Sequence, residues 1–107
     1  MIEKIKENEL VLSGRKDGSM YSLVADDLFY IESVDNKLFL YNQTEVYESD
    51  LKLYEFEQLV KDTNFIRISK NLILNTSYIE SVRALFNGRF EATLINSEKV
   101  IINRHYV

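Results

Sequence analysis

The chain has 107 residues, no cysteine and a formal net charge of −4. This length indicates a single domain, which can bury roughly two-thirds of its unfolded surface without disulfides or a metal. The absence of cysteine excludes a disulfide framework, a thiolate zinc site and a cysteine nucleophile, and it fits a reducing cytoplasm. No apolar run approaches the roughly 20 residues of a membrane span, so we expect a cytoplasmic protein without a membrane partner.

The charge is unevenly distributed. Residues 1–63 carry 7 Lys and Arg against 14 Asp and Glu, whereas residues 64–107 carry 6 against 3. An acidic average opposes nucleic-acid binding, because Lys and Arg contacts to phosphates supply most of the non-specific affinity. The basic excess of the second part leaves that function open, although so small a surplus can also arise by chance.

Short β-like runs separated by turns dominate the first half of the chain. Residues 1–9 are interpreted as an N-terminal extension, and the domain itself is expected to span 10–107. The candidate strands cover 10–12, 20–24, 28–34, 37–41 and 44–47. Ser13-Gly14 and Asp17-Gly18 are expected to interrupt the first two runs, and Asp35-Asn36 forms a two-residue polar tip that predicts a hairpin.

One segment has helical spacing instead. Ser49 and Asp50 supply an N-cap and an acidic first turn. The apolar positions that follow at helical spacing are Leu51, Tyr54, Phe56, Leu59 and Val60. The pattern predicts a helix over about 50–61 that packs on the sheet, with Glu55 and Glu57 as solvated surface residues.

Strand signals return after the helix. Apolar residues on both sides of Ser69, Lys70 and Asn71 predict that this triplet, called the knuckle here, is a polar turn between two short strands. Further strands are expected at about 78–85, 89–95 and 99–102. For the hairpin between the first two, a three-residue loop over 86–88 is preferred to a two-residue Asn-Gly loop. It places Ala84 opposite Phe90 and gathers the apolar residues on one face. The predicted fold is an elongated, mainly β antiparallel domain with one principal helix.

Catalytic signals are scarce. The single histidine, His105, lies near the carboxyl end and is interpreted as a surface residue, and no Gly-rich phosphate loop or nucleophile elbow is present. The carboxylates lack the regular oxygen-ligand spacing of a calcium loop and are interpreted as solvent-facing; they are Asp26, Asp27, Glu32 and Asp35. The sequence therefore predicts no enzyme, no metal, no cofactor and no small-molecule substrate.

Three residues at turns or strand ends have side chains suited to reading DNA bases. They are Asn36, Lys70 and Arg104, since Asn suits adenine and Lys or Arg suit guanine. Each also has a simpler interpretation: Asn36 as a permissive turn residue, Lys70 as a phosphate contact, and Arg104 as a solvated terminal residue. Asn75, within strand-like sequence, needs hydrogen-bond partners and is expected to hold backbone groups around the knuckle.

Four segments resemble the LytTR family of DNA-binding domains. The central one runs from Phe65 through Arg67-Ile68, the knuckle and Asn75 to Tyr78-Ile79. Residues 28–33, 79–82 and 100–106 are similar to the family's opening, following and closing segments. The match covers roughly residues 10–107 in the same order and spacing.

The resemblance implies an elongated β domain whose loops enter successive major grooves of double-stranded DNA. It also implies base contacts by Asn36, Lys70 and Arg104, with Arg67, Ser69 and Asn71 as phosphate-contacting or orienting residues. Ser69 stands where many members have His, and Ser is usual at the positions of Asn71 and Asn103. These departures bear on which DNA sequence is read.

The resulting hypothesis is sequence-specific DNA binding by a bacterial transcription regulator of the response-regulator type, as a homodimer on promoter direct repeats. Such regulators usually join this domain to an upstream receiver. The rival hypothesis is a β-rich protein-interaction module that pairs through an exposed strand edge, without DNA.

Overall fold

The computed structural model describes residues 9–103. Its strands are β1 (Val11–Lys16), β2 (Ser19–Val24), β3 (Tyr30–Val34), β4 (Lys37–Tyr41), β5 (Val46–Ser49), β6 (Phe65–Ser69), β7 (Leu72–Asn75), β8 (Ile79–Ala84), β9 (Arg89–Leu94) and β10 (Lys99–Asn103). The helix α1 spans Leu53–Leu59, and short 3-10 turns lie at Ala25–Asp27, Thr76–Tyr78 and Phe86–Gly88. The prediction of a mainly β domain with one principal helix is confirmed. No helix in the described range is long and apolar enough to cross a membrane.

The strands form two antiparallel sheets. The larger sheet has the order β2-β1-β5-β4-β3-β7-β6, and the smaller has the order β10-β9-β8. Side chains alternate between the faces of a strand, so Ile31 packs on the α1 side with Phe56, whereas Tyr30 packs on the other side with Leu94. The central strands of the larger sheet are therefore covered by α1 on one face and by the smaller sheet on the other.

Helix α1 is shorter than the predicted 50–61. Ser49 is the last residue of β5, and its hydroxyl accepts a hydrogen bond from the backbone N–H of Leu51 at 3.1 Å instead of capping the helix. The helix begins after Lys52, whose backbone N–H donates to the carboxylate of Glu55 at 2.8 Å. Glu55 therefore contributes to the start of the helix as well as to the surface.

Gly14 lies inside β1, although Ser13-Gly14 was expected to interrupt that strand. A Cβ at this position would lie 2.7 Å from Cδ1 of Leu23 and 2.8 Å from Cβ of Tyr47. Such distances are too short for real side chains, so the strand needs glycine here because of close packing. The glycine that suggested a turn is instead required by the close approach of β1 to Leu23 and Tyr47.

The β8–β9 hairpin has the predicted register. Ala84 pairs with Phe90 and Val82 with Ala92, which confirms the three-residue loop. Asn87 as well as Gly88 adopts a positive φ, 62° and 73°. Both residue types tolerate this region: glycine because it lacks a Cβ, and asparagine because its short polar side chain allows it.

Tyrosines join the two sheets. The Tyr30 hydroxyl donates to the Glu98 carboxylate at 2.7 Å, and its ring stacks on Tyr41 with centroids 4.4 Å apart. The Tyr41 hydroxyl donates to Glu32 at 3.2 Å, so Glu32 is a half-buried acceptor and its interpretation as a solvent-facing residue was wrong. Burial, and secondly the hydrogen bond to Glu98, raise the pKa of Tyr30.

The raised pKa of Tyr30 predicts a loss of stability in alkali. The unfolded chain releases the phenolic proton near pH 10 and the folded chain only at higher pH, so the free energy of unfolding should fall as pH rises above about 10. Tyr30→Phe should remove part of that fall, and the raised pKa values of Tyr41 and Tyr78 should account for a remainder. Urea titrations at several pH values between about 8 and 11 measure the free energy of unfolding of each variant.

Glu98→Gln is the companion variant. Because burial is the largest single cause of the raised pKa of Tyr30, removing the Glu98 charge should reduce the alkaline loss of stability without abolishing it. A Tyr30→Phe profile with the same slope as that of the unmodified protein would contradict the assignment.

Candidate nucleic-acid interface

Two of the predicted base-contacting residues lie in neighbouring turns. Asn36 lies in the β3–β4 turn and Lys70 in the β6–β7 turn, and both residues are exposed. β3 pairs with β7 in antiparallel register, and the backbone N–H of Ser33 donates to the carbonyl of Asn71 at 2.8 Å. Since β3 ends where β7 begins, this pairing brings both turns to the same end of the larger sheet.

The turn that contains Asn36 is tight. Val34 pairs with Lys37, and the two residues between them, Asp35 and Asn36, have positive φ angles of 50° and 65°. This is the pattern of a type I′ hairpin turn. The backbone conformation by itself accounts for an asparagine here, and the side chain remains exposed. Asp35 and Lys37 add one charge of each sign to this end of the sheet.

Arg67 organises the knuckle from the preceding strand. Its Nε donates to the carbonyl of Ser69 at 2.8 Å, and its Nη2 donates to the carbonyl of Lys70. Its Nη1 pairs with the carboxylate of Glu57 on α1 at 2.9 Å. The guanidinium thus joins the helix to two backbone carbonyls of the turn. Of the two roles expected for Arg67, these contacts favour orienting.

The knuckle departs from regular strand geometry. The β6–β7 register shifts between Arg67 and Ser69, which is a β-bulge at the fully buried Ile68. The Ser69 hydroxyl accepts a long hydrogen bond of 3.4 Å from the backbone N–H of Asn71. A bulge twists a strand and redirects the side chains beyond it, so Lys70 points away from the packed core.

The two basic side chains at the knuckle, Arg67 and Lys70, differ in exposure and in ion pairing. The side chain of Arg67 is only 22% exposed and is paired with Glu57. The Lys70 ammonium makes no hydrogen bond or salt bridge to another described residue. An ammonium without such a partner can contact a base edge or a phosphate without first breaking an ion pair. Of the two basic residues, Lys70 is therefore the better placed to contact DNA.

The ion pair between Glu57 and Arg67 was not predicted from the sequence. Glu57 was expected to be solvated surface, yet it is the carboxylate partner of Arg67 and its side chain is 41% exposed. The available signal was Arg67 itself, because a half-buried guanidinium within a strand needs an acceptor. The helix that packs on the strand was the nearest source of one.

Asn75 is almost fully buried and binds backbone groups. Its amide nitrogen donates to the carbonyls of Leu28 at 3.0 Å and Asp26 at 3.3 Å, and its amide oxygen accepts from the N–H of Ser77 at 3.0 Å. These groups lie at the far end of β7 from the knuckle. The expectation that Asn75 holds backbone around the knuckle was therefore wrong in its location.

Arg104 and His105 lie outside the described residues. The neighbouring Asn103 ends β10 and pairs with Arg89 of β9. Within the described part of the chain, no group of three or more His, Cys, Asp or Glu side chains is arranged to hold a metal ion.

Rigid turns at the end of an antiparallel sheet, with exposed amide and ammonium groups, are elements that β-type DNA-binding domains present to a groove. The family model of the LytTr DNA-binding domain matches residues 18–107. The chain therefore belongs to the LytTR family of DNA-binding domains.

Two curated relatives illustrate the similarity. The sensory transduction protein LytT of Enterococcus faecalis is 27% identical over 88 residues, covering 82% of this chain and 36% of that protein. The transcriptional regulatory protein LytR of Staphylococcus aureus strain N315 is 25% identical over 91 residues, covering 85% and 37%. The chain thus spans little more than a third of the length of these relatives.

A solved structure has the same fold. The LytTr DNA-binding domain of a putative methyl-accepting/DNA response regulator from Bacillus cereus superposes with a TM-score of 0.84. The match covers 90% of this chain and 88% of that one at 22% identity. At this identity the comparison establishes the fold.

Asn75→Ala should destabilise the fold without directly affecting DNA binding. It leaves two carbonyls and one N–H without their partner, so we expect a loss of about 1–3 kcal/mol in the free energy of unfolding, measured by urea titration. Asn64→Ala is the matched control, because Asn64 is exposed and donates to the Ser77 hydroxyl; its effect should stay within about 0.5 kcal/mol. Equal effects of the two variants would contradict the role given to Asn75.

Proposed function

We propose that this domain binds double-stranded promoter DNA sequence-specifically through its turns. Asn36, Lys70 and Arg104 contact base edges in this proposal. The observation that supports it most directly is the adjacency of the Asn36 and Lys70 turns, which puts an exposed amide beside an exposed ammonium on a rigid sheet. Asn pairs well with adenine, and Lys or Arg with guanine.

The loops are proposed to enter successive major grooves. The molecule is elongated, with principal dimensions of 47 × 37 × 25 Å. Equivalent points of successive major grooves lie about 34–36 Å apart. A body of this length can therefore reach two grooves on one side of the duplex.

The supporting contacts divide between orientation and phosphate binding. We assign Arg67 to orientation, because its guanidinium binds the carbonyls of Ser69 and Lys70. Ser69 and Asn71 flank Lys70 and are assigned to phosphate contacts or to positioning of the turn. Hydroxyl and amide groups commonly bind DNA phosphates in this way, which fixes the protein on the duplex without reading sequence.

The wider role proposed is that of a bacterial transcription regulator of the response-regulator type, acting in the cytoplasm. The names of the relatives, sensory transduction protein and transcriptional regulatory protein, support it. Within such a regulator, residues 10–107 would form the DNA-binding domain and 1–9 an extension. Two copies would occupy promoter direct repeats. The domain would act by binding alone, without catalysis, cofactor or small-molecule substrate.

The rival hypothesis is a protein-interaction module that acts without DNA. Membership of a DNA-binding family argues against it as the main function. The edge strand β2 is nevertheless suited to pairing. Such pairing is compatible with DNA binding, because β2 is not one of the strands joined by the Asn36 and Lys70 turns.

The base contacts predict a loss of discrimination. The preferred duplex is first selected from a random library, and affinities for it and for a scrambled duplex are then measured at several salt concentrations. Lys70→Ala and Arg104→Ala should each cost about 1–3 kcal/mol on the preferred duplex and relax the choice at one base pair. Lys61→Ala is the control, since it removes an exposed lysine that follows α1 and belongs to neither turn. If affinities for both duplexes fall together, the residue contacts the backbone of the DNA.

Arg67→Gln separates orientation from phosphate binding. If Arg67 orients the knuckle, the variant should lose discrimination at the base pair read by Lys70 while the salt slope stays unchanged. If it binds phosphate, all duplexes should be weakened alike and the slope should fall by about one. Glu57→Gln, which removes the acidic partner of Arg67 but leaves its two carbonyl contacts, should have the smaller effect.

A further inference from the structure

Strand β2 is a free edge of the larger sheet within the described residues. It pairs with β1 alone, and four of its six residues are exposed. Met20 is 60% and Tyr21 43% exposed. The sequence of the strand, Ser-Met-Tyr-Ser-Leu-Val, contains no charge and no proline. A long, uncharged edge strand is a template for pairing with another strand.

The other three sheet edges carry features that oppose such pairing. β6 has a bulge at Ile68 and packs against β10. β8 carries Glu80 and Arg83, and β10 carries Lys99. Bulges and charged residues are the usual protections of an edge. Among the four edge strands of the described sheets, β2 alone lacks them, in a chain of which 28% is charged.

The hairpin register determines which groups of β2 face outward. The turn at Asp17-Gly18, with φ angles of 51° and 80°, closes the pair Lys16–Ser19. Hydrogen-bonded pairs alternate with non-hydrogen-bonded pairs along such a ladder, and the bond from the Ala25 N–H to the Leu10 carbonyl at 2.9 Å fits that alternation. The backbone groups that point away from β1 are therefore those of Met20, Ser22 and Val24.

We propose that β2 pairs antiparallel with β2 of a second copy of this chain, with the two-fold axis at Ser22. In this register Ser22 faces Ser22, Met20 faces Val24, and Tyr21 faces Leu23. Every cross-strand pair is either apolar or neutral, so none is opposed by like charges. The Tyr21 ring is held by an edge-to-face contact with Tyr47, at 5.4 Å between centroids, and is therefore ordered before pairing.

This pairing goes beyond the proposed DNA binding and does not depend on it. A two-fold contact uses the same patch on both copies, whereas direct repeats relate their two sites by translation. We therefore assign the β2 contact to the DNA-free protein and to copies that are not side by side on one pair of repeats.

Cysteine crosslinking tests the register, because the natural chain has no cysteine. Residues that face each other as a hydrogen-bonded pair have Cα atoms about 5.5 Å apart, within the range of a disulfide. Ser22→Cys should therefore give a covalent dimer under mild oxidation. Ser13→Cys is the matched control: Ser13 is exposed and lies opposite Ser22 on β1, one strand further from the axis. Equal crosslinking of both variants would indicate random collision and overturn the proposal.

Sedimentation velocity tests the surface without crosslinks. The unmodified chain should form dimers as its concentration rises. Ser22→Glu places two carboxylates opposite each other at the axis and should keep the chain monomeric, whereas Ser13→Glu should still dimerise. A monomeric unmodified chain, or a dimer unaffected by Ser22→Glu, would overturn the proposal. Ser22→Glu should still bind DNA, so failure of the edge pairing and failure of the DNA proposal give different results.

Discussion

Burial of β3 on both faces constrains the rest of the structure. Ile31 packs under α1, Tyr30 packs under the smaller sheet, and both edges of the strand are paired. A slip of one residue would exchange the two faces and put the wrong side chains on each. The register is thus set by apolar packing, and it determines which turns adjoin. The adjacency of the Asn36 and Lys70 turns is a consequence of core packing more than of interactions between the turns themselves.

Arg67 links that packing to the surface. A guanidinium on a half-buried strand is costly unless its donors are used, and here they bind Glu57 and the carbonyls of Ser69 and Lys70. The contacts leave the bulged turn with a defined shape. They also mean that the motif's most buried basic residue already has a carboxylate partner. The exposed positive charge near the Asn36 turn is instead supplied by Lys37 and Lys70.

Local patterns were sufficient where one short segment determines its own geometry. The β8–β9 register followed from apolar alternation around Asn87-Gly88, and the β3–β4 turn followed from two polar residues between strands. Contacts between segments far apart in the chain could not be predicted from the sequence. Asn75 binds carbonyls 47 and 49 positions away, Glu57 meets Arg67 only after α1 packs on β6, and Gly14 resembles a turn signal until Tyr47 is placed against it. The base contact predicted for Arg104 rested on its residue type near a strand end and on the family resemblance, and Arg104 lies outside the described residues.

Two kinds of force position the β1–β2 hairpin, and their magnitudes differ. Arg15 pairs with Glu48 and Asp50, but these groups are at least one-third exposed, and such surface pairs contribute about 0–1 kcal/mol and are screened by salt. Burial of Leu12 and Tyr47 against the core contributes more, about 1.5–3 kcal/mol for a fully buried apolar side chain. Apolar packing therefore dominates in positioning the β1–β2 hairpin on the sheet, and added salt should disturb that position little. DNA binding through Lys and Arg weakens steeply with salt, so the two surfaces of this domain should respond differently to ionic strength.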